Sequence, residues 1–556
     1  MSESIRLIPE NLKKIREINP MMMSYNIEFA EVTGGTFWKS YTPGQIAGTE
    51  SFYVEPSAEG IAAMYKDLMQ VYPPINLYDE KLRSLARELG PVWVRVSGTW
   101  ATKTYCDFDG TTNGEAPEGY LNVLTKEQWI GVLDFVKAVG AKLMISVANC
   151  PGLHSADEPW NPSEAEKIFS LSKQYGVPIH ATEFANEPNI MEDTGFPKGY
   201  TPADYRRDQD LFFAWVRKNY PDCLCVGPCT TGGDNVSMGK SGADQKSGGI
   251  EQLAKNTCNC ADLMEGTREP LDVFSYHYYN GVSERLASVV PSGHWDAADA
   301  VTEPYLQTAL NFARTYAPLR DKYCPGGQMW VTESGDAGGG GDTWASTYLD
   351  VLRTLNELGG FAAITDGVIF HNTLASSDYG FLARQVFDPR PNYFAVLLWN
   401  RLMGTTVYDS GEEIREGVHV FVHSRKDGKD GAAYLIINNS TTESTTVELP
   451  KEAQRYTLAG QEGNIRATVM TLNGKPLVLG AQNALPAMEP ETQAAGRIEL
   501  APGTCTFLLL QCRIRSLVPC KVGVSLLRFL NMSRKEGVWF DLYAGSCGML
   551  YDHLIE

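Results

Sequence analysis

The sequence predicts a (β/α)8 barrel of the TIM type followed by a β-sandwich, an α/β fold, and three observations predict it. Apolar runs that end abruptly in polar residues recur eight times between residues 21 and 372, with helical patterns between them. Beyond residue 404 the pattern changes to the alternation of exposed strands. Two of the eight runs end in a glutamate, Glu187 and Glu333, at the strand ends where a barrel of this kind carries its chemistry.

The elements follow in order. Residues 1–20 read as an N-terminal arm that joins the sandwich, and MMMSYNIEF (21–29) as the first strand, with Glu28 near its end. Residues 30–60 are rich in Gly, Thr and aromatics, a structured loop beside a site. Leu82, Leu85 and Leu89 share one helix face that stops at Gly90, and VWVRVSG (92–98) is strand two. Thr125 and Gln128 form a capping box opening a helix that Gly140 closes, and KLMISVAN (142–149) is strand three. A helix at 163–175 leads to strand four in VPIHATEFANEPNI (177–190). CLCVGP (223–228), LDVFSYHYY (271–279), QMWVTESGDAGGGG (328–341) and GVIFHN (367–372) are strands five to eight, with helices near 304–320 and 343–358. A helix near 391–402 closes the barrel region, 21–404. The distance from strand one to strand eight, roughly 350 residues, is long for this barrel and implies inserted loops. Strands GVHVFVHS, AAYLIINN, STTVELP and TCTFLLLQ, with a turn at Asn473-Gly474, build the sandwich over 405–512. Residues 513–556 match neither part and read as an appended tail.

Composition limits the function. The 556 residues carry a net charge of −19, which argues against nucleic acid or sulfated polyanions as partners. No stretch approaches the ~18 apolar residues of a membrane span, and the N-terminus lacks the apolar core of a signal peptide, so the expected location is cytoplasmic. None of the twelve cysteines forms a Cys-x-x-Cys pair; reduced thiols are a simpler account than a zinc site.

A lone glutamate at a strand end is ordinarily a cap or surface residue. A pair on strands four and seven, which face each other across the barrel, reads instead as the two carboxyls of a glycosidase. Glu187 suits the acid that protonates the leaving oxygen, and Glu333 the nucleophile. A small barrel mouth would hold them about 5–5.5 Å apart, the retaining separation. Two close carboxyls also titrate apart, Glu187 staying protonated while Glu333 is charged. Asn186 can donate a hydrogen bond to a sugar 2-hydroxyl. His277, Tyr278 or Tyr279 on strand six can hold the nucleophile. The glycines 338–341 after strand seven can form a nest for a sugar carboxylate, with Tyr379 adding a phenol. Acid, nucleophile and water suffice for this hydrolysis, so no metal or organic cofactor is called for.

At these residues the sequence resembles glycoside hydrolase family 79, the heparanase and β-glucuronidase family. The likeness spans nearly all of 20–512 and includes Asn186-Glu187-Pro188-Asn189, His277-Tyr278-Tyr279, the Glu333 strand with its glycine run, and DYGFLARQVFDPRPNYFAVLLWNRLMG (378–404). The resemblance implies Glu187 as acid/base and Glu333 as nucleophile. It implies Glu28, Asn149 and Asn186 as ligands of sugar hydroxyls, and Gly339, Gly340 and Tyr379 as the site of a glucuronate carboxylate. It leaves Tyr278 and Tyr279 open as the tyrosine beside them, with Tyr278 the first choice. With an acidic chain and no basic cleft signature, the expectation is an exo-acting, retaining β-glucuronidase on small or oligosaccharide β-glucuronides. The alternatives are an endo-β-glucuronidase on a uronate polysaccharide, a neutral-sugar glycosidase, or a non-catalytic carbohydrate-binding barrel that has kept both glutamates.

Overall fold

The computed structural model describes residues 4–57, 64–234 and 257–512, so the tail expected over 513–556 lies outside the described residues. Eight parallel strands close a barrel in sequence order: Met23–Glu28, Trp93–Ser97, Lys142–Ser146, Ile179–Glu183, Leu224–Thr231, Val273–Val282, Gln328–Gly338 and Ile369–His371. Closure is direct, since Met23 pairs with Ile369 and Tyr25 with His371.

The barrel interior is layered. Trp93, Met144, Ala181, Val226, Val273, Trp330 and Phe370 plug the lower end, with the Trp93 and Trp330 rings 4.9 Å apart. One step higher on the same inward faces stand Arg95, Glu183 and Ser275. The outward-facing Val94, Val96, Leu143 and Ile145 belong to the large core beneath the helices. This division follows from the two-residue period of a strand, which sends alternate side chains to the axis and to the helix layer.

Helix ends are capped as the sequence predicts. Thr125 accepts from the Gln128 N–H at 3.2 Å while the Gln128 side chain accepts from Thr125 N–H, and Gly140 ends that helix with φ +68°. The helix expected near 343–358 instead runs Leu349–Ile364. Its start is delayed because Asp342 N–H is drawn to Asp336 and the Thr347 hydroxyl to the Trp344 carbonyl. It then continues through Gly359 and Gly360, which cost helix propensity but sit where a Cβ would meet the Phe421 ring and Leu310 at 2.3 Å. The helix is thereby wedged between barrel and sandwich. The stretch 30–60 holds a short helix, Phe29–Thr33, and a strand, Gly35–Trp38, which pairs antiparallel with Met69–Tyr72.

After the barrel, a nine-stranded antiparallel sheet and a three-stranded sheet enclose a core of Val420, Val422, Tyr434, Ile436, Val447, Ile498 and Leu508. Asn473 (φ +49°) and Gly474 (φ +77°) make the tight turn between Met470–Leu472 and Lys475–Pro476. The N-terminal arm enters both sheets. Ile5–Arg6 runs parallel to Thr445–Leu449, and Lys13–Glu17 pairs antiparallel with Met403–Asp409. From the sandwich, Arg466 reaches back to the Gln45 and Ile46 carbonyls and the Thr343 hydroxyl above the barrel mouth. Among the described residues no helix is long and apolar enough to cross a membrane, and the ten described cysteines are all unpaired thiols.

Candidate active site

Glu187 follows strand four in a left-handed backbone conformation, φ +47° and ψ +54°, which a β-carbon resists. The turn is locked on its far side by Asn189, whose amide donates to the Thr231 carbonyl at 2.8 Å and accepts from the Thr231 N–H at 2.9 Å. That strain is the kind found where a backbone re-aims a reactive side chain. Glu187 Oε1 and His277 Nδ1 share a hydrogen bond of 2.9 Å. His277 Nδ1 also lies 3.5 Å from Glu333 Oε2, so one imidazole edge faces both carboxyls. One oxygen of each glutamate and the His277 nitrogen all lie within 4.8 Å of one another.

Strand register produces this meeting. Tyr276 pairs with Val331 but His277 pairs with Glu333, an irregularity that skips Thr332 and brings the two side chains level. The Glu333 carboxylate is then held from two directions. Arg95 Nη1 donates to Oε1 at 3.0 Å, and the Tyr279 hydroxyl donates to Oε2 at 2.7 Å. Arg95 also donates to Glu183 at 3.0 Å and to Asn186 Oδ1 at 2.8 Å, so it fixes which end of the Asn186 amide faces away with its donors. Burial, and next the Glu333 charge, push the Tyr279 phenol well above its ordinary pKa, which keeps it a donor. Burial works against a charged His277, while the Cys229 sulfur 3.0 Å from Nε2, Glu333 and Glu187 favour it; the balance raises its pKa well above the ordinary value.

The strand-eight residue Asn372 ties the other wall together. Its Nδ2 donates to Glu28 at 3.2 Å, to the Tyr279 hydroxyl at 3.0 Å and to the Tyr379 hydroxyl at 3.2 Å. Glu28 is buried, and that burial, reinforced by the Glu333 charge, lifts its pKa well above the usual carboxylate range. A neutral Glu28 carboxyl can donate as well as accept, which suits a sugar hydroxyl. Gly98 gives it room, since a Cβ there would lie 1.8 Å from Glu28 Oε2.

The glycine run has three successive positive φ values, +93°, +91° and +82° at Gly339, Gly340 and Gly341. Each also lacks space for a side chain. A Cβ would meet Ser283 Oγ at 2.8 Å, Trp38 Cβ at 2.7 Å and the Tyr379 nitrogen at 2.9 Å respectively. The Gly338 carbonyl accepts from Ser283 N–H at 2.8 Å and the Gly339 carbonyl from Ser283 Oγ at 2.9 Å. In a planar trans peptide the N–H points opposite to its carbonyl, so the Gly339 and Gly340 N–H groups face away from the strand-six loop. Neither has an acceptor among the described residues. Two adjacent free amides on one side of a turn form a two-donor nest that can accept an anion.

Two of the sequence expectations land elsewhere. Tyr278 does not face the carboxyls; its hydroxyl bonds to Asn280 and its ring packs on Phe312 in the helix layer. With His277 facing the axis, the alternation of the strand sends Tyr278 outward and Tyr279 inward. Asn149 is fully buried with its amide bound to His154 Nε2 at 2.6 Å and the Tyr200 hydroxyl at 3.3 Å. The structure brings Glu28, Glu187, Asn186, Glu333 and Tyr379 into one network. Sequence reasoning missed Arg95 and Asn372. The signal for Arg95 was present: a lone charge inside VWVRVSG on the inward phase, which a buried strand admits only with partners.

Glu187, His277 and Glu333 have the donor types of a metal site. The Arg95 guanidinium, 3.0 Å from Glu333, fills the same corner with positive charge, so the arrangement suits proton transfer rather than a cation.

No family model matches the chain. Individual proteins do. A baicalin β-D-glucuronidase of Scutellaria baicalensis is 27% identical over 479 residues, covering 78% of this chain and 84% of the relative. A hyaluronoglucuronidase of Hirudo nipponia is 22% identical over 78% of this chain and 90% of its own length. Mouse heparanase is 24% identical over 64% of this chain and 65% of its own. Among solved structures, a 4-O-α-L-rhamnosyl-β-D-glucuronidase of Fusarium oxysporum 12S superposes with a TM-score of 0.58 at 12% identity, covering 91% of this chain and all of that one. A family 51 α-L-arabinofuranosidase of Thermotoga petrophila gives 0.58 at 13% over 92% of this chain and all of that one, a likeness of fold alone. Barrel and relatives together support a glycoside hydrolase, similar to the β-glucuronidases and heparanases of family 79.

Proposed function

We propose that this enzyme is a retaining, exo-acting β-glucuronidase that removes terminal β-linked glucuronate from small or oligosaccharide glucuronides. The observation that carries the reading is the two-donor nest at Gly339 and Gly340, bonded through the Gly340 carbonyl to Asp378 beside Tyr379, whose phenol shares the Asn372 amide with the Tyr279 that holds Glu333. The nest matches the carboxylate that distinguishes glucuronate from glucose. The close approach of Glu187 and Glu333, within 4.8 Å oxygen to oxygen, supports the retaining separation of about 5–5.5 Å rather than the wider inverting one.

The chemistry then runs in two steps. Glu187 gives its proton to the glycosidic oxygen as Glu333 attacks the anomeric carbon, and the aglycone leaves as an alcohol or phenol. Glu187, now a carboxylate beside His277, takes a proton from water, whose oxygen displaces Glu333 and returns the sugar with its original configuration. Arg95 and Tyr279 orient Glu333 throughout. Relatives named as a baicalin glucuronidase and a hyaluronoglucuronidase support a glucuronide as substrate class.

The test is a pair of aryl glycosides. An aryl β-glucuronide should be turned over and the matching β-glucoside far more slowly, with proton NMR showing β-glucuronate as the first product. Glu333→Gln should abolish turnover. Full turnover by Glu333→Gln, or an α-anomer formed first, would overturn the mechanism. Size analysis of a digested uronate polymer separates exo from endo action: monosaccharide release supports the reading, rapid chain shortening the endo alternative.

A further inference from the structure

We propose that Arg285 is a positioning residue for sugar recognition: its guanidinium sets the backbone of the Gly339–Gly341 nest against the Asp378–Tyr379 segment, and discrimination between glucuronate and glucose depends on it. The inference rests on the glucuronide reading and names the device that holds its carboxylate site in shape.

Arg285 follows strand six and is 1% exposed. All of its nitrogens are committed to protein. Nε and Nη2 donate to the Lys39 carbonyl at 3.1 and 2.6 Å, and Nη1 donates to the Gly339 and Gly341 carbonyls at 3.2 and 2.8 Å. Nη2 also pairs with Asp378 Oδ2, and the guanidinium carbon lies 3.7 Å from the centre of the Tyr41 ring. One side chain from the strand-six loop therefore gathers the loops that follow strands one, seven and eight.

It has no donor left for substrate, so it acts through those loops. By drawing in the Gly339 carbonyl it turns the Gly340 N–H, in the same peptide plane, to the opposite side. The Gly341 carbonyl is drawn in likewise, and its Asp342 N–H goes to Asp336 Oδ2 at 2.8 Å. Between them the Gly340 carbonyl accepts from Asp378 N–H at 3.0 Å, and Gly341 N–H returns to the Ala337 carbonyl at 3.1 Å. The peptides of the turn alternate in direction, and Arg285 holds two of the three carbonyls that define the alternation. Three consecutive glycines otherwise have wide freedom in φ and ψ, so the shape must come from such tethers. The Asp378 end of the same pair carries Tyr379 on the next residue, which places the phenol relative to the nest.

Lysine at 285 keeps the charge but offers one nitrogen in place of a planar fork that spans four acceptors. The experiment measures kcat and KM of Arg285→Lys and Asp378→Asn with 4-nitrophenyl β-D-glucuronide and 4-nitrophenyl β-D-glucoside, beside thermal melts. The expected result is that the glucuronide-to-glucoside ratio of kcat/KM falls about tenfold or more in Arg285→Lys, the loss of one charge-assisted contact, with most of it in KM. Asp378→Asn, which keeps the shape of the pair, should lower the same ratio by a smaller factor. Where Arg285→Lys fails to fold, Asp378→Asn alone decides. A wild-type preference that survives in the folded variants, or an equal loss on both sugars, overturns the role of Arg285 and leaves the glucuronide reading standing. A wild-type enzyme without preference for the glucuronide overturns both.

Discussion

Tyr279→Phe removes one oxygen from the active site and keeps the ring. The hydroxyl donates to Glu333 Oε2 at 2.7 Å, and both groups are buried, at 6% and 5% exposure. A hydrogen bond to a charged group contributes about 1.5–3 kcal/mol. Arg95 still holds the other carboxylate oxygen at 3.0 Å, so Glu333 keeps its place but loses one of its two restraints. If that full contribution is felt in the transition state, kcat/KM on an aryl β-glucuronide falls about 10- to 150-fold. The variant also leaves the Asn372 amide with two of its three acceptors, Glu28 and Tyr379, a small further cost in stability. Tyr278→Phe is the internal control. It deletes a hydroxyl bonded to Asn280 in the helix layer and should shift the melting temperature with little change in kcat/KM. Steady-state kinetics and thermal melts on the two variants suffice. Tyr279→Phe within twofold of wild type, or Tyr278→Phe losing as much activity at unchanged stability, would refute the orientation of strand six described above.

Two further predictions follow from buried charge. Arg95→Met leaves Glu183 and Glu333 without their shared cation and should destabilise the protein by about 3–5 kcal/mol in chemical denaturation, since breaking a buried pair costs more than the pair contributes; Glu183→Gln in the same background should recover part of the loss. Burial, opposed by Arg384 and the Glu28 N–H, raises Glu31 from 4.5 to about 7. The native state then holds a proton that the unfolded chain releases, so this contribution is complete below pH 4.5 and is lost as pH rises through about 7. Glu31→Gln, which can still accept from Glu28 N–H, should gain on wild type by about 3 kcal/mol between those limits, and parallel stability profiles for the two proteins would count against it.

The barrel was legible because its signal is collective: eight apolar runs, each capped by polar residues, point to one architecture even when single boundaries slip. Glu187 and Glu333 were legible for the same reason, as strand-end residues on opposite strands. Tyr278 against Tyr279 turns on phase, and phase becomes clear only once His277 is known to face the axis. The irregularity at Thr332, which sets that phase against Glu333, leaves no mark in composition or spacing. Asn149 is an amide at a strand end, like Asn186, but its oxygen and one of its donors are taken by His154 and Tyr200, residues brought to it by tertiary packing. The late start of the helix at Leu349 has a similar origin, in Asp336 holding back Asp342. Arg285, in an unremarkable run of sequence, acquires its partners from three distant loops.

The N-terminal arm gives the chain a peculiar order of assembly. Lys13–Glu17 is made before the barrel, yet its partner Met403–Asp409 appears almost four hundred residues later, and strand one of the barrel waits roughly 350 residues for strand eight. During synthesis two strand edges therefore stand open at once, each a template for the wrong neighbour. Nor is the sandwich a portable module. Cut free at residue 405, it would lose the first two residues of the strand at Met403–Asp409 together with Lys13–Glu17 beside it, and its small sheet would lose Ile5, which is fully buried there. A library of circular permutants joined end to end would be expected to tolerate breaks in the surface loops of the barrel better than any break that parts the arm from Met403–Asp409.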